Sequence, residues 1–501
     1  LELSRAEEFR SGRSRHSQIL RVKTGVKRDG TIVANEMLML ANTGAYGTHS
    51  PSGQSNTSSQ SLSLYRSPNL RFVADVVYTN LPPSGAFQSH GAPQEFFALE
   101  SHMDEVAKQL GMDALELRRK NWIREGDKNP LASGEGKEGS PRIIKGDVVV
   151  GLGSALVPAI DSTLTPAIGL PQCLQIVEEK LGWKEKRGKG GTGRLRHGVG
   201  IALAMQSPAI PALASAIIKL NEDGSFNVSA ADSGTNSSTI LAQIAAEVLG
   251  VRIEDIIMHS SDTDFTPFST GAYSICGEAV KQAAEQVRSQ LLEVAGKMLN
   301  IDPETLTINN RIITVPNGQT VTVSQVALHS LYVENQQQII GVASCKKDHS
   351  SPSFAAQGAE VEVDTETGAV RALRTISAID AGCIINPVIA QAQIEGGAAQ
   401  ALGYGICEEM AYDQNGALLT TNLSDYRIYS APDMPRMETY IVETSDPFGP
   451  FGARDIAEIP IDGMAPAIAN AVSDALGIAI RQIPLTPERV LRAIHTQLAK
   501  R

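Results

Sequence analysis

Apolar and polar positions follow two different periods along this chain, and the switch between them marks its elements. Residues 17–48, SQILRVKTGVKRDGTIVANEMLMLANTGAYGT, alternate apolar and polar on either side of Arg28-Asp29-Gly30, which predicts a β-hairpin. LRFVADVVYTN at 70–80 reads as a further strand. The spacing then lengthens: PQEFFALESHMDEVAKQLG at 93–111 repeats its apolar positions every three to four residues, as a helix does. Pro93 suits its first turn and Gly111 its end. Glu100 and Asp104 stand four apart on that helix and read as a solvated pair of charges. A second, short helix is predicted at about 113–121.

Both periods lapse from residue 126 to 168, where GDKNPLASGEGKEGSPR mixes glycine, proline, serine and charge; the adjoining TLTPAIGLPQ reads as loop. GKGGTG at 188–193 has the glycines of a phosphate cradle. It lacks the Lys-Ser/Thr ending and runs into RLRHG rather than a helix, so it reads as a flexible linker. Beyond it, IALAMQ at 201–206 and SAIIKLNEDGSFNVSAAD at 215–232 predict strands, and STILAQIAAEVLG at 238–250 a helix. Residues 277–299 read as a long helix, and 358–380 as a hairpin turning at Thr365–Gly368. Helices follow at 390–409, 463–476 and 486–499. Strands and helices mix without strict βαβ alternation, so the fold class is α+β. The boundaries read as one domain over 1–125, a linker over 126–168 and a second domain over 169–501, with no internal repeat.

Composition narrows the function classes. A chain of 501 residues is too long for one core, and 42% hydrophobic with 20% charged residues is ordinary for a globular protein. A formal net charge of −11 repels phosphate backbones, so nucleic acid is not an expected partner. No apolar run reaches the ~18 residues that span a bilayer, and LELSRAEEF carries no signal-peptide pattern; a membrane is not expected as a partner. The five cysteines, Cys173, Cys276, Cys345, Cys383 and Cys407, form no CxxC pair. A reduced, cytoplasmic chain without iron–sulfur or zinc ligands is expected.

Four segments then point one way. GAFQSHGAPQEFFALESHMDEVAKQLGMDALELRRKN at 85–121, DAGCIINPVIAQAQIEGGAAQALGYGICEE at 380–409, TNLSDYRIYSAPDMP at 421–435 and FGARDIAEIPIDGMAPAIANAVSDALG at 451–477 occur in that order. They resemble the signatures of the molybdenum-binding subunit of the xanthine dehydrogenase/aldehyde oxidase family, which read "GAFRGFGxPQ…LGxDPxExRxxN", "DxGxxiNPxxxxgQxxGgxxqglG" and, at the end, "GARGxGE". The opening LELSRAEEF resembles an internal "lxltReE" strand. A further stretch that precedes it in the family, supplying one face of the substrate pocket, is expected on a separate chain or beyond this sequence.

The resemblance implies two elongated mixed α/β molybdopterin-binding domains with the cofactor cleft between them. It implies molybdenum–molybdopterin, alone or as its cytosine dinucleotide, with iron–sulfur and FAD centres on partner chains or domains. The activity implied is hydroxylation of a small-molecule substrate, a purine-like N-heterocycle or an aldehyde, with water as oxygen source. In that family the last-motif glutamate is the base that activates a water-derived oxygen; it falls on Glu458, set between Ala457 and Ile459. An apolar shell there is expected to keep the acid basic. Gly452, Ala453, Arg454, Ile456 and Ala457 frame the turn near the metal. Phe87, Gln88 and Ser89 fall on the loop over the cofactor, and His90 where the family often stacks a phenylalanine on substrate. Gln393 matches a pterin-binding glutamine, and Ser233, Gly234 and Thr235 fall on the "ExGQGxxT" loop; no side chain is a metal ligand.

The pattern is broken at four places. The "AFRG" arginine is Gln88; the "ExGQGxxT" loop is DSGTNSST at 232–239, with Thr235 and Asn236 for its glutamine and second glycine. The loop reading GAYSICGEAV at 271–280 is shortened, and Asp455 and Ala457 replace two glycines. Side chains on such loops crowd a ligand, and Asp455 adds negative charge beside an anionic group unless Arg454 compensates. These changes keep open a second reading, a cofactor-free structural or assembly paralogue, and a third, a pterin carrier or maturation protein.

Overall fold

The computed structural model describes residues 2–47, 60–127, 168–206, 212–232, 234–260, 262, 264, 272–333, 336–347 and 351–498. Its first element departs from the expected strand. Arg5–Ser11 is a helix (α1), because Ser4 and Glu7 form a capping box: the Glu7 carboxylate accepts from the Ser4 N–H (2.8 Å) and the Ser4 hydroxyl from the Glu7 N–H (3.4 Å). The hairpin forms as read. Gln18–Val26 (β1) pairs antiparallel with Ile32–Gly44 (β2), and Leu70–Tyr78 (β3) lies parallel to β2. Ala92–Leu110 (α2) follows, closed by Gly111 in the left-handed conformation (φ 67°). The Asp113 carboxylate accepts from the Leu115 and Glu116 N–H groups and so starts Ala114–Asn121 (α3).

The expected solvated pair on α2 is instead buried. Glu100 is 0% exposed and Asp104 8%, and the Arg118 guanidinium of α3, itself 0% exposed, donates to both, at 2.8 and 2.7 Å. Glu100 also accepts from the Tyr65 hydroxyl and the Leu203 N–H, and Asp104 from Arg187. Each buried charge has found an opposite charge and further donors, the condition under which burial is tolerated.

Leu170–Leu181 (α4) begins inside the segment read as loop, with a proline in its first turn. Next come Leu195–Gln206 (β4), Ala212–Leu220 (β5), Phe226–Ala230 (β6), Ser237–Leu249 (α5), Ile256–Ser260 (β7) and Gly277–Leu299 (α6). Short strands Thr307–Asn309, Ile312–Thr314 and Thr320–Thr322 (β8–β10) precede Val323–Tyr332 (α7). The chain then runs through Ile340–Lys347 (β11), Ser353–Asp364 (β12), Val370–Asp380 (β13), Pro387–Ile406 (α8), Arg436–Val442 (β14), Met464–Leu476 (α9) and Pro487–Leu498 (α10). Two four-stranded sheets carry this part, in orders β14-β13-β12-β4 and β11-β5-β6-β7. Helices α5 and α6 pack their alanine-rich faces on the second sheet in one core; α8 and α9 pack on the first sheet in another. A third core joins apolar side chains from Ile32 to Ile123 with others from Leu170 to Met205. Among the described residues no helix is long and apolar enough to cross a membrane.

Helix α9 lies almost in contact with the backbone of β4. A Cβ on Gly198 or Gly200 would stand 2.1 Å from the carbonyl oxygen of Ala471 or Ala467. Helix backbone cannot yield there without moving the whole helix, so Gly200→Ala is expected to lower stability by about 1–3 kcal/mol. A shift of the urea-unfolding midpoint measures it; an unchanged midpoint would refute the close fit.

Candidate functional site

The segment Phe451–Pro460 is tied first to the end of β13. The Cys383 N–H donates to the Gly452 carbonyl (2.7 Å) and the Arg454 N–H to the Ala381 carbonyl (3.1 Å). The Arg454 guanidinium turns inward onto the Asp380 carboxylate, both side chains 0% exposed; Asp380 also accepts from the Gly169 N–H (2.8 Å) and the Thr444 hydroxyl (2.6 Å). Ile456 and Ile459 are buried in the core. Glu458 is turned to the other side. Its Oε2 accepts from the Gln206 amide at the end of β4 (3.1 Å), and its Oε1 lies 4.0 Å from His90 Nδ1, with a third of the side chain exposed. The expected apolar shell is therefore absent: the flanking isoleucines fill the core, leaving the acid among an amide, an imidazole and solvent.

The loop before α2 reaches across to this acid. Ser89, His90 and Gly91 have φ of 68°, 55° and 126°, a run of left-handed backbone in which two members are not glycine. Such strain persists only where surroundings impose it. The Gln88 amide donates to the Ala457 carbonyl (2.7 Å) and the Ser89 hydroxyl to the Glu458 carbonyl (3.1 Å). The Arg15 guanidinium donates to the Gln88 carbonyl (2.7 Å) and stacks between the rings of Phe87 and Tyr404, 4.8 and 5.0 Å from their centres. Gln88 thus spans to the turn that carries Glu458.

His16 lies under this loop, 4% exposed. Burial, and then the neighbouring His90, push its imidazole down to about 4. An unfolded histidine titrates near ~6.5, so the native chain is penalised as its unfolded form takes up protons. This contribution is complete above about pH 6.5 and is lost as pH falls towards 4. It is expected to amount to about 2–3 kcal/mol. Replacing His16 by asparagine should flatten the fall in urea midpoint between pH 7 and 4.5; an unchanged slope would contradict the assignment.

The DSGTNSST loop folds on its own aspartate. Asp232 accepts from the Gly234 N–H (2.8 Å) and from the hydroxyls of Ser237 and Ser238, which brings the chain into α5 through Asn236 at φ 59°. Ser233 lies outside the described residues; Gly234 is exposed and Thr235 half-buried. One turn further on, Ile240 lines a small cleft of about 30 Å³ whose other walls are Ala381, Cys383–Asn386, Ile389 and Ala390 from the end of β13 and the start of α8, and Ala453, Arg454 and Ile456. Gln393, half-buried, stands one turn beyond Ile389 on α8. Loop 87–89 thus bonds to 457–458, while Ile240 of α5 shares with 453–456 a cleft that the Glu458 side chain does not line. Asp455 accepts from the Ser274 N–H (3.1 Å) and hydroxyl, while the Arg454 guanidinium is bonded to Asp380. Gln206 and Arg15 were not singled out from sequence. The one signal for Gln206 is a polar residue closing an otherwise apolar strand.

Residues 1–122 and 176–435 each match a molybdopterin cofactor-binding domain. A putative xanthine dehydrogenase molybdenum-binding subunit of Escherichia coli K12 is 32% identical over 99% of this chain and 64% of its own length. A probable hypoxanthine oxidase of the same organism is 34% identical over 98% of this chain and 50% of its own length. The chain thus spans under two thirds of these relatives. Among solved structures, quinoline 2-oxidoreductase from Pseudomonas putida 86 superposes with a TM-score of 0.84 at 25% identity, over 98% of this chain and 64% of that one. The Cu,Mo-CO dehydrogenase shares the fold, with a TM-score of 0.81 at 23% identity.

Proposed function

The chain belongs to the molybdenum-binding subunits of the xanthine dehydrogenase/aldehyde oxidase family, and on that premise we propose that Glu458 is the base of a molybdenum hydroxylase. The observation that carries this is the convergence of the 88–90 loop and the end of β4 on one carboxylate, which Gln206 orients and His90 faces. The chain is proposed to hold molybdenum–molybdopterin, and the residues present fit such a group. The cleft walls are mainly apolar, with Asn386 and Arg454 among them, a Cβ at Gly234 or Gly396 would meet open space, and Asp455 is hydrogen-bonded by Ser274. Phe87, Gln88, Ser89, Gly234, Thr235, Gln393, Gly452, Ala453, Ile456 and Ala457 would border the group. Arg454 would act through the Asp380 pair that fixes the turn. N–H groups at the starts of α5 and α8 suit its phosphate.

When bound, the cofactor supplies transfer of a water-derived oxygen and takes up two electrons. Glu458 takes a proton at its Oε1 or Oε2, whichever faces the site, and Gln206 holds the carboxylate in one rotamer through the reaction. His90, a quarter exposed, borders the substrate and sets a polar edge where an aromatic ring would set an apolar one. The substrate class is an N-heterocycle, purine-like, or an aldehyde, and electrons leave to iron–sulfur and flavin centres on partner chains. Molybdenum analysis of the purified complex, with a turnover panel of purines, quinolines and aldehydes, tests the proposal. Stoichiometric molybdenum with turnover is expected; an empty site in the complete complex would overturn it.

A further inference from the structure

One buried acid near the site has no part in the reading above. Asp462, one turn after Glu458, is 0% exposed, yet neither of its oxygens accepts a well-formed hydrogen bond from the described residues. The Ser89 hydroxyl is in hydrogen-bonding contact with it, but that hydroxyl has one proton, aligned on the Glu458 carbonyl at 3.1 Å. An ionised Asp462 would be a desolvated anion facing an oxygen with nothing left to donate. A protonated one has a hydroxyl to give, and Ser89 Oγ has a lone pair to receive it.

We propose that Asp462 is a neutral carboxylic acid that donates to Ser89, which in turn donates to the Glu458 carbonyl, so that Asp462 is a positioning residue for the base. The groups facing it are Glu458 on its own turn, Glu95 from α2, Arg15 ahead of β1 and Tyr404 on α8. Burial drives its carboxyl well above the usual carboxylate range, against the Ser89 hydroxyl and Arg15, and the charges of Glu458 and Glu95 push the same way as burial. The proton has a structural purpose. Ser89 sits in left-handed backbone at φ 68°, and a donor behind it fixes its hydroxyl in the one direction that holds residue 458. The catalytic part of this inference rests on the base assignment proposed above; the protonation of Asp462 does not.

The test separates the two. A native acid that keeps its proton above the unfolded value, ~3.9, loses stability as pH rises through that window. Asp462→Asn, neutral at every pH and still a donor, should therefore gain in urea midpoint over the wild type progressively from pH 5 to 8. A difference that is flat or shrinks with pH would overturn the neutral acid. Infrared difference spectra of the wild-type chain labelled with [13C]aspartate supply the same answer without a variant. One protonated aspartyl carbonyl band persisting at pH 8 is expected, and its absence would overturn the inference. In the complete complex Asp462→Asn should keep kcat within about threefold, whereas Asp462→Leu should lower kcat by more than about tenfold with KM unchanged. Equal kcat in both variants would sink the positioning role even if the infrared band is present. Survival of turnover in Glu458→Gln would instead remove the base assignment and leave the protonated acid standing.

Discussion

Glu458→Gln is expected to lower turnover of the complete complex by at least about 10³-fold while molybdenum content and unfolding midpoint stay at wild-type values. The substitution preserves shape, and an amide oxygen can still accept from Gln206, so the turn and its bonds to Gln88 and Ser89 persist. What is lost is the lone capacity of that position to take a proton. A variant turning over within threefold of wild type would refute the base assignment, and one that lost molybdenum would show the acid to be a determinant of loading instead.

The second large effect concerns folding. Arg118→Ala should cost about 3–5 kcal/mol, because it leaves two carboxylates buried at 0% and 8% exposure with their shared cation gone. Arg118→Lys should recover only part. The guanidinium donates at once to Glu100 and Asp104 and to the carbonyls of Ala114 and Glu100, a spread that a single ammonium cannot span. The urea midpoint at pH 7 measures both, and a cost under 1 kcal/mol for the alanine variant would show that water reaches the cluster. The network joins α2 to β4 through the Leu203 N–H, and the two carry the loop 87–91 and Gln206. Loss of Arg118 is therefore expected to loosen the site as well.

This network also marks what the sequence could tell and what it could not. The span of α2 was legible to one residue, since its apolar spacing, Pro93 and Gly111 all agree. The role of Glu100 and Asp104 was not, because a spacing of four serves a solvated pair and a buried fork equally well. Only Arg118 and Leu203, brought close by tertiary folding, decide between them. Similarly, α1 was read as a strand although Ser4 and Glu7 carry a capping box, a local signal that outweighed the look of the segment. The elements missed outright are α4, β7–β10, α7, β11 and β14; the strands are short or lack a clear period, whereas α4 carried a proline in its first turn and α7 a Thr322–Gln325 capping box that went unread. At the site, the loops and Glu458 were marked by resemblance. Their surroundings were not: the polar partners Gln206 and Arg15 lie far away in sequence, and the destination of the Arg454 charge depended on Asp380, seventy-four residues earlier.

The bonds from Gln88 and Ser89 to residues 457 and 458 cross 369 positions of chain. A protease cut anywhere between Asp127 and Ile168 would place the two halves of that clasp on different polypeptides. Once such nicked material has been unfolded, the clasp can re-form only by association of the two pieces, so its recovery would be second order in their concentration.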